Sequence, residues 1–238
     1  MSELSPQSLP ASRSFLASNG WLAACASDFV TALLAAGQLR HLRQGASTQH
    51  AGDAEGGIWG LVSGHMLSAT GLAGPETSLT ILWGPGEWGG TGPVSGFRRQ
   101  QNLCARVPTT LLAVPQLALH RLLDEQPAWW AEVNRLNFHI MLKIGLLAAD
   151  LQTVDSRRRV AGALLNAAGL RLEGNEQKTL PLSQEDVGHM ANLSRYPTGQ
   201  ILRGFAADGL IASGYGQIRI ERPAELRAIA EGTGQAFG

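Results

Sequence analysis

The spacing of apolar residues changes along the chain and divides it into segments. Between Phe15 and Ala36 apolar positions recur at helical spacing, which predicts one or two amphipathic helices. From Gln38 to Pro115 short apolar runs alternate with glycines, which predicts the strands and turns of an antiparallel β-sandwich or barrel. Helical spacing returns at 126–154, and shorter helices with a final hairpin follow at 155–222. Residues 1–13 are rich in Ser and Pro, and we expect them to be disordered.

The segment 126–154 has apolar residues in steps of three and four, which is typical of a coiled-coil seam. A second apolar group, which includes Phe138 and Met141, lies on another side of the same predicted helix. A helix that is apolar on two sides needs two partners, and we expect these to be the β domain and the same helix of a second subunit. The alternative is a buried helix of a monomer. The expected dimer seam consists of Leu136, Ile140, Ile144, Leu147 and Leu151.

The stretch 182–211 predicts two short helices joined by a sharp turn. Ser183 and Asp186 form a capping-box pattern at the start of the first helix, and Asn192 tolerates the left-handed backbone that the turn needs. Ser194 is placed to cap the second helix, which stops before Gly209. The segment that follows predicts a hairpin. This order is a winged helix-turn-helix, whose second helix enters the major groove of DNA.

The helix-turn-helix resembles the Crp/Fnr (cyclic-AMP receptor/fumarate-nitrate regulator) superfamily of bacterial transcription regulators. The resemblance rests on LSQEDVG, LSR, IL and GLI in this order and spacing, and on R-x-V-A-x-x-L-L in the helix before them. The glycine spacing from Gly45 to Pro85-Gly86-Glu87 also resembles the β-roll of the cyclic-nucleotide-binding fold.

The resemblance implies an α+β fold with an N-terminal cyclic-nucleotide-binding-like β-roll (a double-stranded β-helix), a long dimerisation helix and a C-terminal winged helix-turn-helix. The boundaries that we expect are a disordered N-terminus at 1–13, the sensory β-roll at 14–125, the dimerisation helix at 126–154, the DNA-binding domain at 155–222 and a C-terminal tail at 223–238.

Charge adds little to this picture. The formal net charge of the chain is zero, which argues against a wholly basic, nonspecific DNA binder. Residues 155–222 contain nine Arg or Lys against seven Asp or Glu, for a net charge of +2. The argument for DNA therefore rests on the motif. The longest apolar runs are shorter than the roughly 18 residues that a membrane helix needs, and the N-terminus lacks a signal-peptide pattern, so we expect a cytoplasmic protein without a membrane partner.

Metal and disulfide chemistry is not favoured. Cys25 and Cys104 are far apart and match no disulfide framework, zinc site, iron–sulfur signature or haem signature, so we expect buried free thiols. A metal-dependent cupin shares the predicted β class but needs clustered histidines. His41, His50 and His65 are scattered, so we expect surface or half-buried histidines rather than ligands.

In cyclic-nucleotide-binding relatives, a segment from Gly-Glu to Arg-Ser or Arg-Thr holds the ligand phosphate. By position this chain offers Gly90-Thr91 and Arg99-Gln100, which makes these four residues the candidate effector or anion pocket. The acidic ribose acceptor is missing, Gln100 replaces a hydroxyl, and Ile144-Gly145 replace the hydroxyl side chains that meet adenine. These departures argue against cyclic AMP and leave the effector unknown. The alternative is that Arg98 and Arg99 form a solvated basic pair.

Arg195, Tyr196 and Gln200 match by position the base-reading sites of the family. Arg195 can pair with guanine O6 and N7, and Gln200 with adenine N6 and N7. Tyr196 departs from the acidic or small residue common at its position, so the familiar half-site is not assumed. The resemblance implies double-stranded DNA with a palindromic site, a second copy of the chain and RNA polymerase as partners.

Several side chains near the motif are candidates for the DNA backbone. We expect phosphate contacts from Ser183, Ser194 and Thr198, and the alternative for both serines is helix capping alone. We expect the run Arg157–Arg159 to be a solvated face, and the less favoured alternative is a phosphate contact by one of these arginines.

The main rival function is a ligand-binding module whose helix-turn-helix is vestigial or contacts only proteins. Gly199 and Gly204 give this rival some support, because each weakens a helix by up to about 1 kcal/mol relative to alanine. An enzyme is least favoured, since the sequence offers neither a nucleophile with its base nor a carboxylate pair nor a metal cluster.

Overall fold

A computed structural model describes residues 8–70, 79–172 and 176–233. The chain divides into two compact units. One contains the described residues up to Met141 except 79–81, and the other contains 79–81 and the described residues from Leu142 onward.

The first unit begins with two helices, α1 (Leu9–Ala17) and α2 (Ser27–Ala36). Ser8 caps α1 by accepting a hydrogen bond from the backbone N–H of Ala11, and Leu16 is buried in the core. The expectation of disorder is therefore wrong for residues 9–13, because the buried side chains of this helix outweigh the polar composition around it. Residues 1–7 of the expected disordered segment lie outside the described residues.

Short strands follow, and they pair antiparallel wherever their register is defined. Their bounds are β1 (Gln38–Leu42), β2 (Ser47–Gln49), β3 (Ile58–Ser63), β4 (Met66–Thr70), β5 (Leu79–Trp83), β6 (Trp88–Gly89), β7 (Asn102–Ala105) and β8 (Thr109–Val114). They form two four-stranded sheets, with the orders β1-β8-β3-β6 and β2-β7-β4-β5. The predicted antiparallel β domain is confirmed.

The core of this unit joins the N-terminal helices to the first of these sheets. The indole of Trp21 packs edge-to-face on Trp88 at 5.6 Å and on Phe29 at 5.9 Å between ring centroids. The cluster includes buried aliphatic residues of β3 and β8, together with others from the helices that follow β8: Ile58, Val62, Leu112, Val114, Leu119, Leu123, Val133 and Leu136. The apolar spacing predicted for the helices is therefore a core-facing stripe.

Helix α3 (Gln116–Glu125) and a 3₁₀ turn at Pro127–Trp129 lead into α4 (Trp130–Leu151), which matches the expected long helix. The expected dimer seam is only partly available, because Leu136 and Leu147 are buried within the chain. The remaining seam residues, Ile140, Ile144 and Leu151, are half-buried. Besides Trp130 at the start of α4, the exposed large apolar side chains of this helix are Phe138, Met141 and Leu142, with 54%, 55% and 41% of their surface accessible.

The second unit is a winged helix-turn-helix. Its elements are α5 (Ser156–Ala167), β9 (Thr179–Leu180), α6 (Gln184–Ala191), α7 (Arg195–Ala207), β10 (Ile211–Gly214), β11 (Gln217–Ile220) and α8 (Pro223–Glu231). The strands form an antiparallel sheet in the order β10-β11-β9. Asp155 caps α5 by accepting from the backbone N–H groups of Arg157 and Arg158.

The arginines at the start of α5 do not form a solvated face. Arg157 donates to Asp208 Oδ2 at 2.6 Å and stacks 4.7 Å from the ring centroid of Phe205. Arg158 donates to the carbonyl of Ala230, and Arg159 donates to that of Ala191. These contacts connect α5 with α7, α8 and α6. The expectation of a solvated face was wrong because the hydrogen-bond partners of these arginines lie far away in the sequence, where no local pattern indicates them.

The structure also bears on the two cysteines, on metal binding and on membrane-spanning helices. Cys25 and Cys104 are free and half-buried. Within the described parts of the chain, no cluster of three or more His, Cys, Asp or Glu residues could hold a metal ion. The helices of those same parts are all too short or too polar to span a membrane.

Candidate nucleic-acid interface and ligand cavity

The turn of the helix-turn-helix forms as the sequence predicts. Ser183 Oγ accepts from the backbone N–H of Asp186 at 3.2 Å, and Asp186 Oδ2 accepts from the backbone N–H of Ser183 at 2.7 Å. Asn192 ends α6 with a φ of 50°, in the left-handed region. Gly188 permits the close approach of the turn, because a Cβ there would lie 2.8 Å from the carbonyl oxygen of Leu193. These local features fix where α7 begins.

The three residues expected at DNA phosphates have different environments. Thr198 is fully buried and donates from Oγ1 to the Ser194 carbonyl at 2.9 Å, so the expectation of a phosphate contact is wrong for Thr198. It was wrong because Thr198 lies on the inward face of α7. The hydroxyl of Ser183 is engaged in the capping box. Ser194 is the exposed N-cap residue of α7, but its side chain makes no capping hydrogen bond.

The three residues expected to read bases lie together on the exposed side of α7. Arg195, Tyr196 and Gln200 are all exposed, and Gln200 Nε2 donates to Tyr196 Oη at 2.9 Å. The first turn of α7 contains no acidic residue, so the positive end of the helix dipole is not neutralised from within the helix. This face can therefore approach a polyanion.

Arg203 is a further exposed cation on the same face, and the sequence analysis missed it. It lies seven residues after Tyr196 and three after Gln200, so helical periodicity alone could have found it. Gly199 lies beneath it: a Cβ at Gly199 would come 3.4 Å from Arg203 Nη1 and 3.1 Å from Gln184 Oε1. The small residue lets both polar side chains lie across the helix.

A cavity of about 460 Å³ lies in the first unit, and all four predicted pocket residues line it: Gly90, Thr91, Arg99 and Gln100. Arg99 is only 7% exposed. It donates from Nη1 to the Gly90 carbonyl at 3.0 Å and from Nη2 to the Gly57 carbonyl at 2.8 Å. The alternative of a solvated basic pair is thus wrong for Arg99, although Arg98 is exposed.

Burial lowers the pKa of the Arg99 guanidinium, and the negative charge of Asp53 opposes this shift. The backbone around the guanidinium requires glycine at Gly90, where φ is 93° and a Cβ would lie 2.8 Å from Arg99 Nη1. Gln100 donates its amide to the Arg98 carbonyl at 2.9 Å. The predicted residues therefore lie at the cavity wall in a segment that side-chain hydrogen bonds to backbone carbonyls hold in place.

Other walls of the cavity were not predicted. Trp59 and Trp83 meet edge-to-face at 5.5 Å, and the Trp59 indole N–H donates to Gln49 Oε1 at 3.3 Å. Asn137 and Ile140 of α4 complete the lining on another side. The described residues that line the cavity include arginines but no Asp or Glu. No local sequence signal marks these positions as cavity residues, because they come from β2, β3, β5 and α4 and meet only in the folded chain.

Comparisons with known proteins support the helix-turn-helix and the fold described above. Residues 158–229 match the family model of the Crp-like helix-turn-helix domain. A CRP/FNR-family transcriptional regulator from Thermus thermophilus has a similar structure, with a TM-score of 0.58 and 21% identity over 83% of this chain and 100% of that one. FixK2 from Bradyrhizobium japonicum gives a TM-score of 0.61 and 20% identity over 81% of this chain and 96% of its own.

A third solved structure, the c-di-GMP-responsive global regulator CLP from Xanthomonas campestris, gives a TM-score of 0.56 and 17% identity over 82% of this chain and 99% of that one. No curated protein matches the chain by sequence. The predicted resemblance is confirmed for residues 158–229, which form a Crp-like helix-turn-helix domain, and the solved structures share the fold of the chain.

Proposed function

We propose that the chain is a Crp/Fnr-type transcription regulator that binds a palindromic DNA operator as a homodimer, and that its β domain senses an effector other than cyclic AMP. The observation that carries the proposal is that α7 has a buried apolar side and an exposed polar side. Leu202 and Phe205 are buried, whereas the opposite face exposes the polar and basic side chains of Arg195, Tyr196, Gln200 and Arg203. A helix anchored on one side with this exposed face suits the major groove.

The exposed residues of α7 support distinct contacts. Arg195 at the start of the helix can donate two hydrogen bonds to guanine, and Gln200 can pair with adenine. Ser194 and the positive end of α7 can bind a phosphate, because the hydroxyl caps no backbone N–H. Arg203, just over two turns after Arg195, can reach the DNA backbone at the other edge of the groove. Ser183 remains a weaker candidate because its hydroxyl is already engaged.

The exposed apolar residues of α4 support a homodimer. Met141 and Leu142 follow Phe138 by three and four residues and form with it one exposed stripe, which we call the α4 stripe. The same stripe on a second copy is its matching partner, because a two-fold axis pairs identical surfaces. A two-fold dimer would also present two α7 helices roughly 34–36 Å apart, as a palindrome requires.

The cavity supports an effector site. Its four predicted residues line one wall, and the arginine there is braced by backbone carbonyls rather than by a carboxylate. Thr91 stands where an acidic ribose acceptor is expected, which argues against cyclic AMP. The CLP regulator is responsive to c-di-GMP, so the shared fold is compatible with another effector. Calorimetric titration with cyclic AMP should give no binding heat, and saturable binding that Arg99→Gln abolishes would contradict this assignment.

The remaining parts of the proposal follow from the class of protein. We expect RNA polymerase as a further partner and the cytoplasm as the compartment, and we assign no enzymatic activity to the chain.

Selection of duplexes from a random DNA pool, at moderate salt and without added ligand, tests the proposed function. The wild-type protein should enrich a palindrome with half-sites about one helical turn apart. The selection is repeated with Arg195→Ala, which should enrich a motif with relaxed preference at one base pair per half-site. Salt-sensitive binding without enrichment, both with and without cell extract as an effector source, would support a vestigial or protein-contacting helix-turn-helix instead.

A further inference from the structure

We infer that Tyr196 is a positioning residue for Gln200, and that the two side chains read neighbouring base pairs as one unit. The inference rests on the proposed DNA-reading function of α7 and specifies how its exposed face obtains sequence preference.

A hydrogen bond joins the side chains of Tyr196 and Gln200. Tyr196 and Gln200 are four residues apart in α7, which places them on the same side of the helix. Both are exposed, with 72% of Tyr196 accessible, and Gln200 Nε2 donates to Tyr196 Oη at 2.9 Å. Their polar ends therefore meet on the face that is free to approach DNA.

The backbone beneath the pair is held by packing. Thr198 and Gly199, which lie between the two residues, are buried, and Thr198 Oγ1 donates to the Ser194 carbonyl. Pro197, directly after Tyr196, restricts the backbone of the first turn. The pair thus projects from a rigid turn, and its hydrogen bond restricts the side chains as well.

The hydrogen bond selects one orientation of the glutamine amide. A glutamine amide offers one acceptor oxygen and two N–H donors, and a free amide can present either end. When one N–H of Gln200 donates to Tyr196, the oxygen and the second N–H remain for DNA. An acceptor beside a donor is the pattern that pairs with N6 and N7 of adenine. Tyr196 thereby favours adenine over the other bases at the position of Gln200.

The same hydrogen bond also orients Tyr196. Because Tyr196 Oη accepts from Gln200, its own hydrogen points away from the glutamine and needs an acceptor. In the major groove, guanine presents O6 and N7, thymine O4 and adenine N7 as acceptors, whereas cytosine presents only a donor. Tyr196 should therefore disfavour cytosine as the base that it faces in the neighbouring pair, and the two preferences should depend on each other.

Equilibrium binding of variants to a systematically altered operator tests the inference. The palindrome selected by the wild-type protein is changed one base pair at a time, and each duplex is titrated with wild-type protein, Tyr196→Phe, Gln200→Ala and the double variant. Phenylalanine keeps the ring but removes the hydroxyl. Tyr196→Phe should reduce the preference for adenine at the Gln200 position about tenfold and also relax the neighbouring position. The double variant should lose little more than Gln200→Ala alone, because the two effects are coupled.

The matched control is Tyr215→Phe, the same chemical change at the only other tyrosine, which is fully exposed in the turn between β10 and β11. It should leave every base preference unchanged. An unaltered adenine preference in Tyr196→Phe, or additive losses in the double variant, would mean independent readers and would overturn the inference. An equal loss on all duplexes would also overturn it. The proposed function survives all of these outcomes, and it fails only if the wild-type protein selects no sequence.

Discussion

Asp150 and Arg171 form a buried ion pair in which Oδ2 and Nη1 are 2.5 Å apart. Asp150 belongs to the last turn of α4, and Arg171 follows α5. Their side chains are only 10% and 14% exposed, so each charge depends on the other for compensation in a weakly solvated place. The pair connects the end of the long helix with the helix-turn-helix domain within the second unit.

Removing one partner of this pair should be costly. Arg171→Ala leaves the Asp150 carboxylate buried without its counter-ion, and we expect a loss of about 3–5 kcal/mol in the free energy of unfolding. Urea denaturation followed by circular dichroism measures it. The control is Arg219→Ala, which breaks an ion pair with Glu221 whose side chains are 58% and 36% exposed. It should cost less than about 1 kcal/mol. Similar losses in the two variants would contradict the role given to Asp150.

Gly162→Ala should destabilise the protein, although replacing glycine with alanine inside a helix usually stabilises it. A Cβ at Gly162 in α5 would come 2.5 Å from Cγ of Asp150, so Gly162→Ala should push the carboxylate from its place and destabilise the protein. Gly204→Ala in α7 is the matched control, because its Cβ would meet only Arg157 Nη1 at 3.5 Å. That variant should gain up to about 1 kcal/mol from helix propensity. Thermal unfolding should therefore shift in opposite directions, and a stabilised Gly162→Ala would contradict this packing.

Cys25 should react slowly with alkylating reagents at neutral pH. Burial raises the pKa of its thiol to about 12, and the hydrogen bond and charge of Glu132 act in the same direction. The thiolate is the reactive form, so its fraction should still rise about tenfold per pH unit above pH 9. Cys104→Ser leaves Cys25 as the only thiol, and iodoacetamide labelling of that variant between about pH 8 and 10.5 reports on it alone. A plateau near pH 9 would contradict the shift.

The α4 stripe should determine the oligomeric state. We expect the wild-type protein to have twice the chain mass of 25.2 kDa in light scattering after size-exclusion chromatography. Met141→Glu places a charge in the stripe and should give the single-chain mass with an unchanged circular dichroism spectrum. Leu117→Glu makes the same kind of change at an exposed apolar residue of α3 and should leave the dimer intact. A wild-type monomer, or a dimeric Met141→Glu, would contradict the assignment.

Local signals explain what the sequence could predict. The capping box of Ser183 and Asp186, the left-handed Asn192 and the glycine-bounded strands each depend on residues close together in the chain. These signals predicted the order of the elements and the position of α7. The four residues of the cavity wall came from a resemblance rather than from spacing, and the structure brings them together.

Tertiary contacts explain what the sequence could not predict. Both sides of α4 are apolar, so periodicity could not decide that Leu136 packs inward while Phe138 remains exposed. Thr198 was expected at a phosphate because of its neighbours in sequence, but the packing of α7 buries it. Arg158 finds a carbonyl 72 residues away at Ala230, a partner that no local pattern indicates.

The central claim is that α7 reads DNA sequence, and a ratio of affinities tests it most directly. The wild-type protein and Arg195→Ala are each titrated with the selected palindrome and with a scrambled duplex of the same composition, at one salt concentration. The wild-type protein should bind the palindrome roughly 1,000-fold or more tightly than the scrambled duplex. Arg195→Ala should lose about 1–3 kcal/mol of this discrimination, confined to one base pair of each half-site. Equal affinity of the wild-type protein for both duplexes would contradict the claim.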